Sequence, residues 1–454
     1  MSDEENPQPA SSSPGTAAVG DHSSKSSRIE RHRRAHGYTS ARVSLKERLS
    51  HFTWSWFECT MSTGAIATLL GQQPYTFNGL VAIGKVFFVL DLALFVLFSA
   101  LITARFLMHP SALKTSLHHP HEGHAHVSIY AFHELLLEAL SYDIVTTYHG
   151  HHQSFFFGTF WVLLALILYG IQEYGVPATG PWLVRALEVL FWLYAACALL
   201  VVIFQYHVIL DEEELPVRDC MPAWILPAYP FLVLGPLAAV LEYSQPQPAA
   251  TPILIVGLVF ERLGWSVAFI MYTVYFTRLI NSNLPLEPKR PGMFVAVGPA
   301  GYTSTTLASL GMQAPIVIPP NYLGVTSVPT GDLWKAFAVP AAMFVWLLGF
   351  WFFALATVSC LKGARAMHFT LNWWAFIFPN VGLTIGAISI ANAIDSSGIK
   401  GLCSGLSVLL VAAWFIVAVF KIRGVWIREV LWPGVNEDME DLEGWVIGGK
   451  ERQD

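Results

Sequence analysis

Small hydroxyls and helix-breaking residues recur side by side inside apolar runs of this sequence. Thr60, Ser62 and Thr63 lie in "ECTMSTGAIA"; Gly298, Pro299 and Thr303 to Thr306 lie in "VGPAGYTSTT"; Pro379, Asn380, Gly382 and Thr384 lie in "FPNVGLTIG". A proline within a helix removes one hydrogen bond and frees a carbonyl one turn back. The half-helix beyond it begins with free N–H groups and a partly positive end. Such ends hold anionic groups in membrane proteins, and hydroxyls with almost no fixed charge beside them suit weak anion binding and quick release. Close packing of helices is the other use of the same small residues. Glu58 stands one helical turn before Ser62 and is the acid nearest these hydroxyls. Intramembrane carboxyls are functional candidates by default, so Glu58 is a candidate for proton coupling or, when paired, a brace between helices. Lys85 is the candidate cation for steering anions at the outer mouth. Arg105 and Arg278 are expected to snorkel. Glu261 with Arg262, and Arg185 with Glu188, are expected to pair.

The elements that hold these residues follow from composition. The chain has 454 residues, of which 54% are hydrophobic and 13% charged, with a formal net charge of -6. Soluble domains carry about 25% charged residues, so this load predicts an all-α integral membrane protein. The balance of charge leaves no nucleic-acid footprint. Five cysteines without a C-x-x-C pair read as buried thiols, and no metal or cofactor is expected. A spanning helix needs roughly twenty apolar residues. Ten segments fit: 52–71, 80–107, 155–171, 183–210, 223–242, 253–280, 292–311, 335–361, 370–393 and 402–422. Lys and Arg follow the second, fourth, sixth and eighth segments, whereas "GQQPYTFNG", "QEYGVPATGPW" and "YSQPQPAAT" carry none. That asymmetry puts both termini in the cytoplasm.

Breakers and charges divide between alternate segments. Pro227, Pro230 and Pro236, Pro299, and Pro379 fall in the fifth, seventh and ninth, while the even segments hold one proline, Pro340, near the start of the eighth. Lys85, Asp91, Arg105, Arg185, Glu188, Glu261, Arg262 and Arg278 fall in even segments. Loosened backbone must be buried in protein or face water. The expectation is therefore five helical hairpins around a central pore, with kinked odd helices inside.

"HFTWSWFECTMSTGAIATLLGQQPY", "RPGMFVAVGPAGYTS" and "WWAFIFPNVG" resemble the first, seventh and ninth spans of fungal malic acid permeases. These belong to the tellurite-resistance/dicarboxylate transporter family, related to the plant slow anion channels, and the resemblance covers most of residues 45–425. It implies a ten-span fold, a pore in each protomer of a homotrimer, and passage of small organic dianions such as malate, succinate and fumarate across the plasma membrane. It also implies a phenylalanine gate on the ninth span, matched here by Phe378 before Pro379, with Phe376 the alternative register. Sulfite efflux pumps share the family, and nitrate or chloride conduction shares the fold. "VAVGPAGYTS" fits the dicarboxylate side, because the sulfite pumps resemble one another in a Gly-Gln-Gly at this place.

Residues 1–50 read as a disordered basic tail, 51–423 as the ten-span domain and 424–454 as an acidic tail. Ten of sixteen histidines lie between His109 and His152. Metal binding by this loop and a di-iron enzyme are the alternatives to a loop without a role. Di-iron membrane enzymes spread such boxes over several loops, so no enzyme is expected. Residues 123–153 read as an atypical insertion. Its borders, Val127-Ser128 and Gln153, can be encoded by GTAAGT and CAG, as a retained intron would be.

Overall fold

The computed structural model describes residues 45–50, 52–110, 153–212 and 215–427. The His-rich segment 111–152 and both tails lie outside the described residues. After a short helix, α1 (Leu45–Ser50), the elements are α2 (Phe57–Gly71), α3 (Leu80–Met108), α4 (Gln153–Gly170), α5 (Pro181–Glu212), α6 (Tyr229–Leu232), α7 (Leu234–Leu241), α8 (Gln247–Asn281), α9 (Val297–Val317), α10 (Thr330–Gly363), α11 (Phe378–Ala393) and α12 (Ser397–Trp426). No strand occurs among the described residues.

Eight helical stretches among the described residues are long and apolar enough to cross a membrane. They divide by burial. Pro222–Leu241 and Leu371–Ala393 are 94% buried, and Phe155–Ala178 is 61% buried. The other five, α3, α5, α8, α10 and α12, are 22% to 33% buried. Their outward faces carry exposed Val86, Leu200, Ile270, Phe344 and Leu409, an apolar surface suited to lipid. The segments around α2 and α9 are also enclosed, yet neither is among the eight. Glu58, Thr60, Ser62 and Thr63 in the first, and Thr303 to Thr306 in the second, are all buried polar residues. Inner helices are thus more polar than outer ones, because they face one another and not lipid.

Four inner segments change helix type partway. The 3-10 turns Trp54–Trp56, Pro222–Ala228, Glu287–Ala296 and Leu371–Phe376 lead into α2, α6, α9 and α11. No side chain caps the α-helices that follow. Pro230, Pro299 and Pro379 each sit in the first turn of the new α-helix, where the missing N–H has no helical partner to lose.

Breaking a helix exposes carbonyls, and tyrosine hydroxyls meet several of them. Tyr206 donates to the Trp224 carbonyl (3.1 Å), Tyr194 to Pro230 (3.2 Å), Tyr229 to Val295 (2.6 Å), Tyr272 to Ala296 (2.7 Å) and Tyr302 to Phe378 (3.2 Å). Three of these tyrosines come from the outer helices α5 and α8, so the outer layer satisfies the backbone of the inner one. Tyr272→Phe should leave the buried Ala296 carbonyl without this donor and cost about 1–3 kcal/mol. Thermal unfolding in detergent, read against Thr273→Ala on the exposed face, measures it.

Several expectations are corrected. The outer helices run further than the apolar pattern predicts: α8 starts at Gln247 and contains Pro252, and α10 starts at Thr330, which places Pro340 well inside it. The third segment extends through a π-turn, Ile171–Gly175. Arg105 does not snorkel; it is buried and donates to the Phe52 carbonyl at 2.8 Å. Glu261 is fully buried and accepts from the Thr303 hydroxyl, while its neighbour Arg262 is exposed. Arg185 and Glu188 do pair, at 2.9 Å.

Candidate functional site

The α-helices beginning at Tyr229, Val297 and Phe378 meet around one ring. Phe378, 1% exposed, lies 4.9 Å from the Tyr302 ring and 5.8 Å from the Tyr229 ring, centroid to centroid. Two glycines make room for this triplet. A Cβ on Gly382 would stand 2.8 Å from the Tyr302 ring, and one on Gly298 would collide with the Tyr229 hydroxyl. The hydroxyls of Tyr302 and Tyr229 are tied to the Phe378 and Val295 carbonyls, so ring positions and helix breaks are fixed together.

A cavity of about 20 Å³ adjoins the triplet, lined by Thr68, Tyr169, Tyr302, Thr305, Ile385 and five apolar residues of α4 and of the Val233–Leu237 stretch. Its walls come from α2, α4, α7, α9 and α11. One water needs about 10–15 Å³, so the cavity has room for a water and not for a four-carbon acid.

The hydroxyls singled out in the sequence are close by, with most of their protons already engaged. Thr60 donates to Phe57, Thr63 to Cys59 and Thr384 to Asn380, each to a carbonyl of its own helix at 2.7–2.8 Å. Ser62 donates across to the Trp374 carbonyl at 3.3 Å, joining α2 to the lead-in of α11. Asn380 bridges the break ahead of α11 by donating to the Phe376 carbonyl at 2.9 Å, and its carboxamide oxygen is buried without a partner. Lys85 is exposed on α3 and does not line the cavity. Glu58 is buried. Tyr302, Tyr229 and Tyr169 were not singled out in the sequence. The signal available was the tyrosine of "GPAGYTS", which the surrounding hydroxyls overshadow.

Just past α7, Glu242 is 4% exposed and neither of its carboxyl oxygens has a hydrogen-bond partner.

Enclosed, broken helices inside a lipid-suited layer define a multi-pass membrane protein. A sequence profile described as voltage-dependent anion channel matches residues 51–422, and the chain belongs to that family. It is 30% identical over 399 residues to the malic acid transport protein of Schizosaccharomyces pombe, covering 87% of this chain and 83% of that protein. A putative malic acid transport protein of the same organism is 29% identical, over 88% of this chain and 86% of its own length. The sulfite efflux pump SSU1 of Arthroderma benhamiae is 25% identical, over 81% and 89%.

Proposed function

We propose that this protein carries C4-dicarboxylates such as malate, succinate and fumarate across the plasma membrane, through a pore closed by Phe378. The observation that carries the reading is the cavity walled by five inner helices and lined by Tyr302, whose ring packs on Phe378. In this reading the chain crosses the membrane ten times as five hairpins, with α2, α4, α6–α7, α9 and α11 inside. Both termini are cytoplasmic, as the Lys and Arg of alternate loops favour, and three copies assemble, each with its own pore. The domain spans 51–423, flanked by tails.

The half-helices beginning at Phe57, Tyr229, Val297 and Phe378 present their partly positive ends to the centre of the path. A carboxylate arriving there is met by these ends, by the backbone beside Gly298 and Pro299, and by the Asn380 amide next to Pro379. Thr60, Ser62, Thr63 and Thr384 rotate their hydroxyl protons from carbonyls to the anion, exchanging one acceptor for another at little net cost, and Thr303 turns its proton from Glu261. Phe378 must swing out of its aromatic sandwich for the path to open. Glu58 is the acid placed to couple a proton to this passage, and Lys85 steers anions from its exposed position.

Dicarboxylate is favoured over sulfite by the higher identity to the malic acid transport proteins. Uptake of radiolabelled malate into vesicles holding the purified protein tests this, with unlabelled succinate, sulfite and nitrate as competitors. Malate uptake blocked by succinate and spared by sulfite is expected. Sulfite uptake without malate uptake overturns the substrate.

A further inference from the structure

Glu261 is the only acid of the outer helix α8, yet it is 0% exposed. Three glycines explain how it gets inside. Gly257 and Gly264 stand about a turn to either side of Glu261, so all three share one face of α8. A Cβ on Gly257 would collide with the Ala238 Cβ, and one on Gly264 would stand 2.9 Å from the Phe231 Cβ. Opposite them, Gly235 of α7 leaves the space that Glu261 enters. A Cβ there would stand 3.0 Å from the Glu261 Cβ and would collide with the Thr306 hydroxyl of α9. The carboxyl therefore lies where α7, α8 and α9 cross. Its Oε1 accepts from the Thr303 hydroxyl, and its Oε2 is buried without a hydrogen-bond partner.

Thr303 differs in this from the hydroxyls beside it. Ser304 and Thr305 donate to the Gly301 carbonyl and Thr306 to the Tyr302 carbonyl, all within α9. Thr303 alone of the four sends its proton to a side chain, and it directly follows Tyr302, whose ring packs on Phe378. An ionised carboxyl accepts at both oxygens, and this one is served at one. In that state Thr303 spends its only proton on Glu261, in a bond roughly twice as strong as one to a carbonyl, and has lone pairs alone to offer an anion. A protonated carboxyl carries its own O–H. Donated to the Thr303 oxygen, it frees the threonine proton to turn toward the path. The proton comes from the bathing solution, and no other bond is made or broken.

We propose that Glu261 is a positioning residue which, by gaining or losing a proton, decides whether Thr303 donates to a passing anion. The inference rests on the pore reading. Few other charged or titratable groups face this carboxyl. Arg262 beside it is exposed, and α7 and the turn Pro222–Ala228 carry none. The Tyr229 and Tyr302 hydroxyls are tied to the Val295 and Phe378 carbonyls, and that of Tyr272, further along α8, to Ala296. Arg218 and Asp219 lie at the far end of α8, where Arg278 donates to the Arg218 carbonyl. On α10, Asp332 and Lys335 stand near one end, Cys360 and Lys362 near the other.

The test is chloride flux against chloride concentration in vesicles, between pH 5.5 and pH 8.5, in the Phe378→Ala background. Chloride is the probe because it does not titrate. The half-saturating concentration should fall roughly three- to tenfold from the high to the low pH, the gain of one hydrogen bond. Glu261→Gln should flatten the profile near its low-pH value and Thr303→Val near its high-pH value, while Thr303→Ser keeps the slope. Asp91→Asn should also keep it, because that buried acid of α3 holds no hydroxyl. A flat profile before any of these changes, or a slope that survives Glu261→Gln or Thr303→Val, overturns the proposal. Thermal unfolding in detergent at pH 8.5 of Glu261→Gln, Thr303→Val and the double variant reads the pairing without transport. The double variant should lose less than the sum of the single losses, and strict additivity overturns the pairing even if the pore reading itself fails.

Discussion

Phe378→Ala should turn a closed protein into one that leaks anions, raising flux on the order of tenfold or more, where each tenfold corresponds to about 1.4 kcal/mol. The ring is packed between Tyr302 and Tyr229 and is one of the larger fully buried side chains. In the proposed pore, opening the path means withdrawing it from both neighbours. With alanine there is nothing to withdraw, and the Tyr302 ring, which lines the 20 Å³ cavity, loses its packing partner. The same truncation should lower stability by about 3–5 kcal/mol, as Phe→Ala does in packed cores. Reduced stability together with raised flux is what distinguishes a plug from an ordinary core residue, whose loss lowers both. Current across a planar bilayer, normalised to the amount of folded protein, separates the two.

Gly301→Ala should be strongly damaging for a single added methyl. A Cβ there would stand 2.5 Å from the Leu383 nitrogen and 2.7 Å from the Gly382 carbonyl carbon. Both are backbone atoms, so no rotamer change relieves the clash and α9 must move away from α11. That shift also pulls Tyr302 from Phe378. Overpacking costs about 1–3 kcal/mol where side chains can yield, so the upper end or beyond applies here. Gly398→Ala is the matched control. It lies in the first turn of α12 with nothing within 4 Å of its Cβ position, and it should be neutral or slightly stabilising. Yield and melting temperature in detergent for the two variants decide the point. Equal behaviour would mean that α9 and α11 do not meet as described.

Much of the helical layout was legible because it rests on length, apolarity and proline, all of which are local. The confinement of Pro230, Pro299 and Pro379 to alternate segments pointed to broken inner helices, and the 3-10 to α changes occur beside those residues. What stayed hidden depends on partners distant in sequence. Tyr194, Tyr206 and Tyr272 look like membrane-helix aromatics until the carbonyls they meet are known. Thr303 reads as pore-lining, but in the fold its hydroxyl donates to Glu261 of α8. Lys421 stands one residue from the predicted end of the last apolar segment, where a lysine ordinarily reaches toward water; three rings from α3 and the two 3-10 lead-ins enclose it instead.

The claim that anions pass through the cavity between the five inner helices has a direct test in blocking it. Thr305 lines that cavity, and tryptophan in its place would fill a space sized for a water. The measurement is malate and chloride flux in vesicles for Phe378→Ala and for Phe378→Ala with Thr305→Trp, both checked for folding by size-exclusion chromatography. The account predicts that the tryptophan returns flux to the level of empty vesicles. Undiminished flux from the folded double variant would contradict it, and would put the path somewhere other than between these helices.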